Sequence, residues 1–241
     1  MSNTDIYYSG LTETLAKIKA TQSDKIKVIA EKVSQTIIND GIIYIFGCGH
    51  SNIITEDCFY RAGGLANVCP MFDADLMLFN GAAKSSSMER MEGIAKHIYR
   101  RYKPTEKDIL FVVSTSGINS VPVEMATLGK ENGVFTTVLC SSAYFDAMSR
   151  HSSGKLLYQC GDIYIDNCVP HGDAVVPVGD MIMGAVSTAA SSFIMNSILA
   201  EAVDIASEKT KPPIYMSGNV DGGAEYNAAL IDRYIPRIKH L

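Results

Sequence analysis

Two short polar segments of the chain have the residue types for chemistry, because each follows an apolar run and combines glycine with hydroxyl, amide or imidazole groups. Residues 47–51 read GCGHS, and residues 114–120 read STSGINS. The second segment opens with three hydroxyls and also contains the Asn119 amide, and these are donors that a phosphate dianion needs. If a helix starts there, its unpaired N–H groups add a partial charge of about +0.5, so that an anion is held without lysine. The pattern favours recognition of a phosphate ester.

Two other interpretations of these segments stay open from the residue types alone. A cluster of serine and threonine is often only a helix cap and turn. A G-x-G after a strand also occurs in dinucleotide sites, but Asn52 stands where that fingerprint has its third glycine. The sequence has neither a G-K-[ST] motif nor a C-x-x-C pair. A nucleotide-binding or redox α/β domain is therefore the weaker interpretation.

Buried strands must position the two segments, and the sequence predicts five of them. The run IIYIF at 42–46 is apolar at every position, which is typical of a strand covered on both faces of a parallel sheet. The other predicted strands are 66–71, 109–113, 134–140 and 163–165. The predicted helices are 5–39, 55–62, 88–102, 121–132 and a C-terminal helix that starts near Glu225.

Strands that alternate with helices imply right-handed βαβ crossovers. We therefore predict an α/β fold, a three-layer α/β/α sandwich with a five-stranded parallel sheet. Ligands of such sheets bind at the carboxyl ends of the strands, where both polar segments fall. No repeat or linker divides the sequence, so we expect a single domain over 1–241. Within it, 1–40 form a helix that packs on the core or on a partner subunit, 41–207 form the α/β core, and 208–241 form a C-terminal extension.

The composition argues against several function classes. The 241 residues carry 21 basic and 26 acidic side chains, a net charge of −5, which disfavours nucleic acid or an acidic membrane surface as the partner. The six cysteines are scattered and no Cys/His group has metal-ligand spacing, so we expect neither a metal nor a cofactor. The N-terminus lacks the apolar region of a signal peptide, and a cytoplasmic location is expected.

One apolar stretch needs its own interpretation, because residues 181–200 contain no charge and are long enough to cross a bilayer. Serine, threonine and asparagine interrupt the stretch and no basic residue anchors it. We predict a buried helix rather than a membrane segment, and no membrane partner. With the N-terminal helix it offers more apolar surface than one sheet covers, so a homodimer is expected, or a homotetramer.

The two polar segments at the ends of buried strands resemble those of the SIS (sugar isomerase) domain. The segments FYRAGGL at 59–65, ERMEG at 89–93, DNCVPHGDA at 166–174 and GNVDGGAEYN at 218–227 are similar to an uncharacterised branch of single-domain SIS proteins. The likeness runs over almost the whole chain. It implies a flavodoxin-like sheet and a phosphosugar ligand.

The resemblance also implies which residues bind that ligand. Many relatives have threonine or serine where this chain has Asn119, whose amide can still donate to phosphate. The phosphosugar-binding residues implied by the resemblance are Ser114, Thr115, Ser116 and Asn119 on the phosphate and Ser51 on the sugar, together with Gly49 and Gly117.

Enzymes resembling this chain begin by removing a proton next to a carbonyl, so a carboxylate or histidine must lie near the sugar. In the heptose-phosphate isomerase and muramic-acid-phosphate etherase branches, that carboxylate lies ten residues after the loop serine, where this chain has Arg61. Glu56, five residues after Ser51, is the expected substitute. His50, His171 and Glu225 are further catalytic candidates, and each is also typical of a turn or a helix start.

The function expected from the resemblance is binding of a phosphorylated sugar, with aldose–ketose isomerisation or etherase-type cleavage. The alternative is a phosphosugar sensor that does not turn its ligand over. The sensor needs the same serines but no base, and Arg61 at the usual carboxylate position favours it.

Overall fold

A computed structural model describes all of residues 1–241. The helices are α1 Asn3–Ile38, α2 Asn52–Cys58, α3 Ala82–Met88, α4 Ile94–Tyr102, α5 Ser120–Glu131, α6 Ser187–Ser207 and α7 Gly223–Tyr234. The strands are β1 Ile43–Gly47, β2 Val68–Pro70, β3 Ile109–Val113, β4 Phe135–Cys140, β5 Ile163–Asp166, β6 Ala174–Val178 and β7 Met181–Ala185.

The first five strands form one parallel sheet in the order β2-β1-β3-β4-β5. This is the flavodoxin-like order of a doubly wound sheet. The five-stranded parallel sheet and the α/β class predicted from the sequence are confirmed. The apolar run at 42–46 is buried at each position, because the sheet is covered on both faces.

Alternate residues of each strand supply two separate cores. Ile43 and Ile45 of β1 face a core built with α1, α2 and α6. Tyr44 and Phe46 of the same strand face a second core built with α4, α5 and the C-terminal residues. This alternation follows from the period of two along a strand, and it fixes the register that aligns the strand ends.

Two predictions of secondary structure were wrong. The stretch 181–200 is not one helix, because its first five residues form β7, which pairs antiparallel with β6 across a turn at Gly179 and Asp180. The predicted helix 88–102 starts only at Ile94, because α3 ends at Met88, residues 89–93 form turns, and Gly93 takes a left-handed φ of 88°. A continuous apolar run alone does not distinguish a strand from a helix.

Helix α6 is long and apolar enough to cross a membrane by length and composition. In this fold one of its faces packs along α1 and the sheet, with Ile194, Met195 and Ile198 fully buried. Such burial is also typical of a core helix in a globular protein.

The turn after β1 depends on the missing side chain of Gly47. A Cβ atom at this position would lie 2.5 Å from the backbone oxygen of Ser51. The chain therefore folds back on itself here only because the residue is glycine.

Gly47→Ala is expected to lower the free energy of unfolding by about 1–3 kcal/mol, because the backbone of Ser51 must shift to admit the methyl group. Urea unfolding monitored by circular dichroism measures this loss. Gly218→Ala is the control, since a Cβ there meets nothing within 4 Å. Equal stability of the two variants would contradict the tight turn.

Candidate functional site

A cleft of about 380 Å³ lies at the carboxyl edge of the sheet, between the loops that follow β1 and β3. These loops leave neighbouring parallel strands, so they emerge side by side. The predicted site residues that line the cleft are Gly49, His50, Ser51, Ser114, Thr115, Ser116 and Asn119.

The loop after β3 turns sharply into α5. Gly117 has a φ of 61°, and a Cβ on it would meet the Cβ atoms of Leu157 at 3.1 Å and Cys140 at 3.4 Å. The Ser114 hydroxyl is buried and accepts a hydrogen bond from the Gly117 N–H at 3.3 Å. Gly117 therefore shapes the loop rather than offering a side chain to a ligand.

The loop that leads into α5 has backbone N–H groups without an acceptor. Those of Thr115 and Ser116, which line the cleft, and that of the buried Ser120 are unpaired within the chain, whereas the Val121 N–H donates to the Glu89 carbonyl at 3.1 Å. By contrast, the start of α6 is capped by Asp173, whose carboxylate accepts the N–H groups of Val186 at 3.1 Å and Ser187 at 2.8 Å. Positive partial charge therefore remains at α5, where an anion is stabilised.

Thr115 is oriented by a buried amide. Asn167 is fully buried, and its Nδ2 atom donates to the Thr115 hydroxyl at 3.3 Å. Thr115 remains partly exposed in the cleft, so its own hydrogen is free to point at a ligand. Asn167 belongs to the segment 166–174, which the sequence analysis used only for the resemblance.

Asn119 connects a carboxylate to a guanidinium. Its Nδ2 atom donates to Oε1 of Glu89 at 2.6 Å, and its Oδ1 atom accepts from the Arg150 guanidinium at 2.7 Å. One hydrogen on Nδ2 remains for a phosphate, whereas the rest of the amide is engaged. The side chain therefore links Glu89, which lines the cleft, to Arg150, which does not.

Glu89 lines the cleft and is the group that sequence reasoning missed. Burial raises the pKa of its carboxyl above the ordinary value, and the nearby Arg90 and Arg150 guanidinium groups offset this only in part. It directly follows α3, so the negative end of the helix dipole also disfavours its charge. A half-buried acid with a raised pKa at the edge of a ligand cleft is suited to proton transfer. The signal in the sequence was the segment ERMEG at 89–93, which begins with Glu89 and carried part of the resemblance.

His50 and His171 lie at the rim of the cleft. His50 is exposed beside Gly49 in the first loop. His171 is also exposed, and its ring stacks on Tyr144 with centroids 4.6 Å apart. Tyr144 itself lines the cleft and accepts the Gly172 N–H at 2.8 Å. His50 is thus a direct lining residue, whereas His171 reaches the site through Tyr144.

Glu56 does not lie in this cleft. It is exposed, accepts a hydrogen bond from Asn52 Nδ2 at 2.7 Å, and lines a separate cleft with Phe59 and Phe72. Five residues at about 100° each place it roughly 140° around the helix from Ser51. The expectation that Glu56 sits beside the ligand is therefore corrected by the geometry of α2.

Two more residues that the sequence analysis considered lie outside the cleft. Glu225 is exposed on the first turn of α7 and is not among the residues that line the cleft. Arg61 lies beyond the end of α2 and pairs with Asp57. The position that holds a carboxylate in the resembling enzymes therefore carries a surface ion pair here.

One group of side chains has the spacing of a metal site. Ligand atoms of Glu92, Glu124 and His151 lie within 4.8 Å of one another. The Ser153 N–H donates to Nδ1 of His151 at 3.2 Å, which leaves the ring hydrogen on Nε2. This Nε2 atom faces the carboxylates of Glu124 at 3.8 Å and Glu92 at 4.0 Å.

Comparison with known proteins identifies related sequences. The sequence profile of the SIS domain matches residues 6–141. A UPF0309 protein of Caldanaerobacter subterraneus subsp. tengcongensis is 41% identical over 244 residues, which cover 98% of this chain and 99% of that protein. A UPF0309 protein of Listeria innocua is 42% identical over 228 residues, which cover 93% of this chain and 92% of that protein.

Two solved structures share the fold at low sequence identity. The NanR protein of Vibrio vulnificus, complexed with ManNAc-6P, has a TM-score of 0.54 and 15% identity over 98% of this chain and 69% of that chain. The phosphoheptose isomerase GmhA of Neisseria gonorrhoeae has a TM-score of 0.53 and 13% identity over 82% of this chain and 95% of that chain.

The raised pKa of Glu89 makes a pH-dependent contribution to stability. Because the folded chain favours the protonated acid, Glu89 destabilises it as pH rises from the ordinary value of 4.5 through the raised one. We expect the free energy of unfolding of Glu89→Gln, relative to that of the parent, to be higher at about pH 8 than at about pH 4. Urea unfolding at the two pH values measures this difference. The exposed Glu13→Gln is the control. A difference between E89Q and parent that does not vary with pH would refute the shift.

Proposed function

We propose that this chain, which belongs to the SIS domain family, binds a phosphorylated sugar in the cleft at the carboxyl edge of its sheet. The observation that carries the proposal is the pair of free backbone N–H groups of Thr115 and Ser116, just before α5, beside the hydroxyls of Ser114, Thr115 and Ser116. No lysine or arginine lines this cleft, so neutral donors and the helix end supply the attraction for the phosphate.

The phosphate group is proposed to lie against the loop after β3. Ser116 has no hydrogen-bond partner in the chain and is partly exposed there, so it is the hydroxyl most available to the ligand. Each hydrogen bond to a charged acceptor contributes about 1.5–3 kcal/mol. Ser51, across the cleft in the first loop, is placed to meet the sugar.

We further propose that Glu89 transfers the proton in an isomerase reaction. Its carboxylate removes a proton from the carbon next to the sugar carbonyl; the electron pair of that C–H bond forms a C=C bond, and the π pair of the carbonyl moves onto its oxygen, to which His50 or Ser51 donates a hydrogen bond. This oxygen takes up a proton from solvent, and the hydroxyl on the neighbouring carbon gives its proton to solvent as the new C=O bond forms. The C=C electrons then take the proton back from Glu89 at the former carbonyl carbon, which gives the isomer. The step needs no metal or organic cofactor, because acid–base groups complete it.

A phosphosugar sensor is the second candidate function. It is favoured by the absence of a carboxylate at the position of Arg61, which pairs with Asp57 instead. The Vibrio vulnificus NanR protein, which shares the fold, was solved with ManNAc-6P. A sensor uses the phosphate loop in the same way and leaves the ligand unchanged.

The chain is also proposed to form a homodimer. The β6–β7 hairpin exposes Met181, Ile182 and Met183, which are each more than 60% accessible. Adjacent exposed apolar side chains of this kind mark protein interfaces. The hairpin leads into Asp173 and Ser187 at the cleft, so a partner there lies next to the site.

Proton exchange separates the catalytic from the sensing function. Incubation with sugar phosphates in heavy water is expected to place deuterium next to the carbonyl, as read by NMR. Glu89→Gln should slow this exchange by about a hundredfold or more, whereas Glu56→Gln should retain it. Tight binding without exchange in the parent chain supports the sensor. Exchange that persists in E89Q removes Glu89 from the proton transfer.

Ser116→Ala is expected to weaken binding of the sugar phosphate by about 10- to 100-fold, the equivalent of one hydrogen bond to a charged acceptor. Calorimetry measures the change. Ser207→Ala, at the exposed end of α6, is the control and should bind as the parent does. Unchanged affinity in S116A would contradict a phosphate site at this loop.

The homodimer is tested by light scattering after size exclusion. Met181→Glu combined with Met183→Glu is expected to shift a dimer towards the monomer, because two charges would be buried in an apolar contact. A monomeric parent at micromolar concentration, or a dimer that survives both changes, would exclude this interface.

A further inference from the structure

A basic cleft lies at the opposite end of the sheet from the proposed sugar site. Its volume is about 370 Å³, and it is bordered by Gly41 and Ile42 before β1 and by Asp108 before β3. It therefore lies at the amino edge of the strands. Five cationic side chains line it: Arg101, Lys103, Lys107, Arg237 and Lys239. The whole chain has a net charge of −5, so this concentration of positive charge is against the overall trend.

The two carboxylates in this cleft are already engaged. Asp108 accepts the backbone N–H groups of Ile42 and Thr105, each at 2.7 Å, and the Thr105 hydroxyl at 2.8 Å. Asp40 is held by Arg233 at 2.7 Å and Arg237 at 3.0 Å.

Four of the five cations consequently have no ion pair with the chain. Arg101, Lys103, Lys107 and Lys239 all lack a carboxylate within 4.0 Å. Like charges that share a concave surface repel one another, and a multivalent anion relieves this repulsion. Scattered surface lysines would be solvated separately, whereas these line one cavity.

A second, apolar cleft of about 590 Å³ lies next to the basic cleft, because the two clefts share one lining residue and have two lining residues that are consecutive in sequence. Arg101 lines both clefts, and Lys239 of the basic cleft precedes His240 of the apolar one. Phe72 and His240 are in contact there with ring centroids 5.0 Å apart. Phe79 is 78% exposed on the same cleft. Aromatic rings of this kind stack on the flat faces of bases.

We propose that the two clefts together bind a nucleoside polyphosphate. The phosphates lie among Arg101, Lys107 and Lys239, and the base lies against Phe79 and His240. Guanidinium and ammonium groups make charge-assisted hydrogen bonds to phosphate oxygens. Both volumes fall in the range of about 300–1,000 Å³ that is usual for small-molecule sites. This site is separate from the sugar cleft and goes beyond the function proposed above.

Calorimetry with ADP and with inorganic pyrophosphate tests the proposal on the full chain. We expect ADP to bind, and Lys107→Gln combined with Lys239→Gln to weaken it by about tenfold or more. Lys19→Gln combined with Lys27→Gln removes the same charge from the exposed face of α1 and should leave ADP affinity unchanged. ADP binding that is absent at about 1 mM, or equal in both double variants, overturns the proposal.

A substitution of Phe79 tests the apolar, base-binding half of the proposed site. Phe79→Ala is expected to weaken ADP but not pyrophosphate, and the exposure of Phe79 makes misfolding no concern. Pyrophosphate that binds as tightly as ADP would overturn the assignment of a base pocket. ADP binding that is lost in Ser116→Ala would place the nucleotide in the sugar cleft and overturn the separate site.

The two proposals fail independently of each other. The variant with Lys107 and Lys239 replaced should still bind sugar phosphates as the parent does, because neither residue lines the sugar cleft. Ser116→Ala should still bind ADP. Loss of both ligands in the lysine double variant would indicate a fold defect, which circular dichroism detects, and the single Lys107→Gln variant then repeats the test.

Discussion

The proposed site depends on one electrostatic constraint, which is that backbone N–H groups of the loop just before α5 are left without acceptors at the mouth of the sheet. Parallel strands buried on both faces hold the loop after β3 at this edge, and Gly117 lets that loop turn into the helix without a clash. The neighbouring helix α6 starts at the same cleft, but the Asp173 carboxylate accepts the N–H groups of Val186 and Ser187 at its start. The anion proposed to bind in the cleft therefore has one preferred place, where the attraction comes from dipoles and hydroxyls rather than from a lining cation.

The same edge carries a desolvated acid, and the two features are joined by Asn119. A planar amide presents a donor and an acceptor in fixed directions, so it holds Glu89 on one side and Arg150 on the other. A hydroxyl at this position is shorter and has a single hydrogen. The asparagine that departs from the serine or threonine of many relatives thus has a structural reason, which is to orient the carboxylate whose pKa burial raises.

Much of the fold was predictable from sequence because buried parallel strands are apolar at every position, as in the run at 42–46, and because both polar loops follow such runs. The hairpin β6–β7 was not predicted, because a stretch without charged residues is equally compatible with a helix unless the turn at Gly179 is identified. In the site, the loop residues were located from the strand ends. Glu89 was not predicted, because its contact with Asn119 joins residues that are 30 positions apart in the sequence. Glu56 was expected beside the ligand because it is close to Ser51 in sequence, but the number of residues between them also determines which face of the helix it occupies.

The two edges of the sheet differ in how they can hold an anion. In a parallel α/β fold the helices start at the carboxyl edge, so their positive ends gather there and neutral donors suffice. At the amino edge the helices end, and their exposed carbonyl groups repel an anion. Helix α4 ends at Tyr102 with Arg100 and Arg101 in its last turn, beside the cleft that Lys107 and Lys239 complete. Explicit cations are required at this edge, because the backbone there works against the ligand, and the chain concentrates them in spite of its negative net charge.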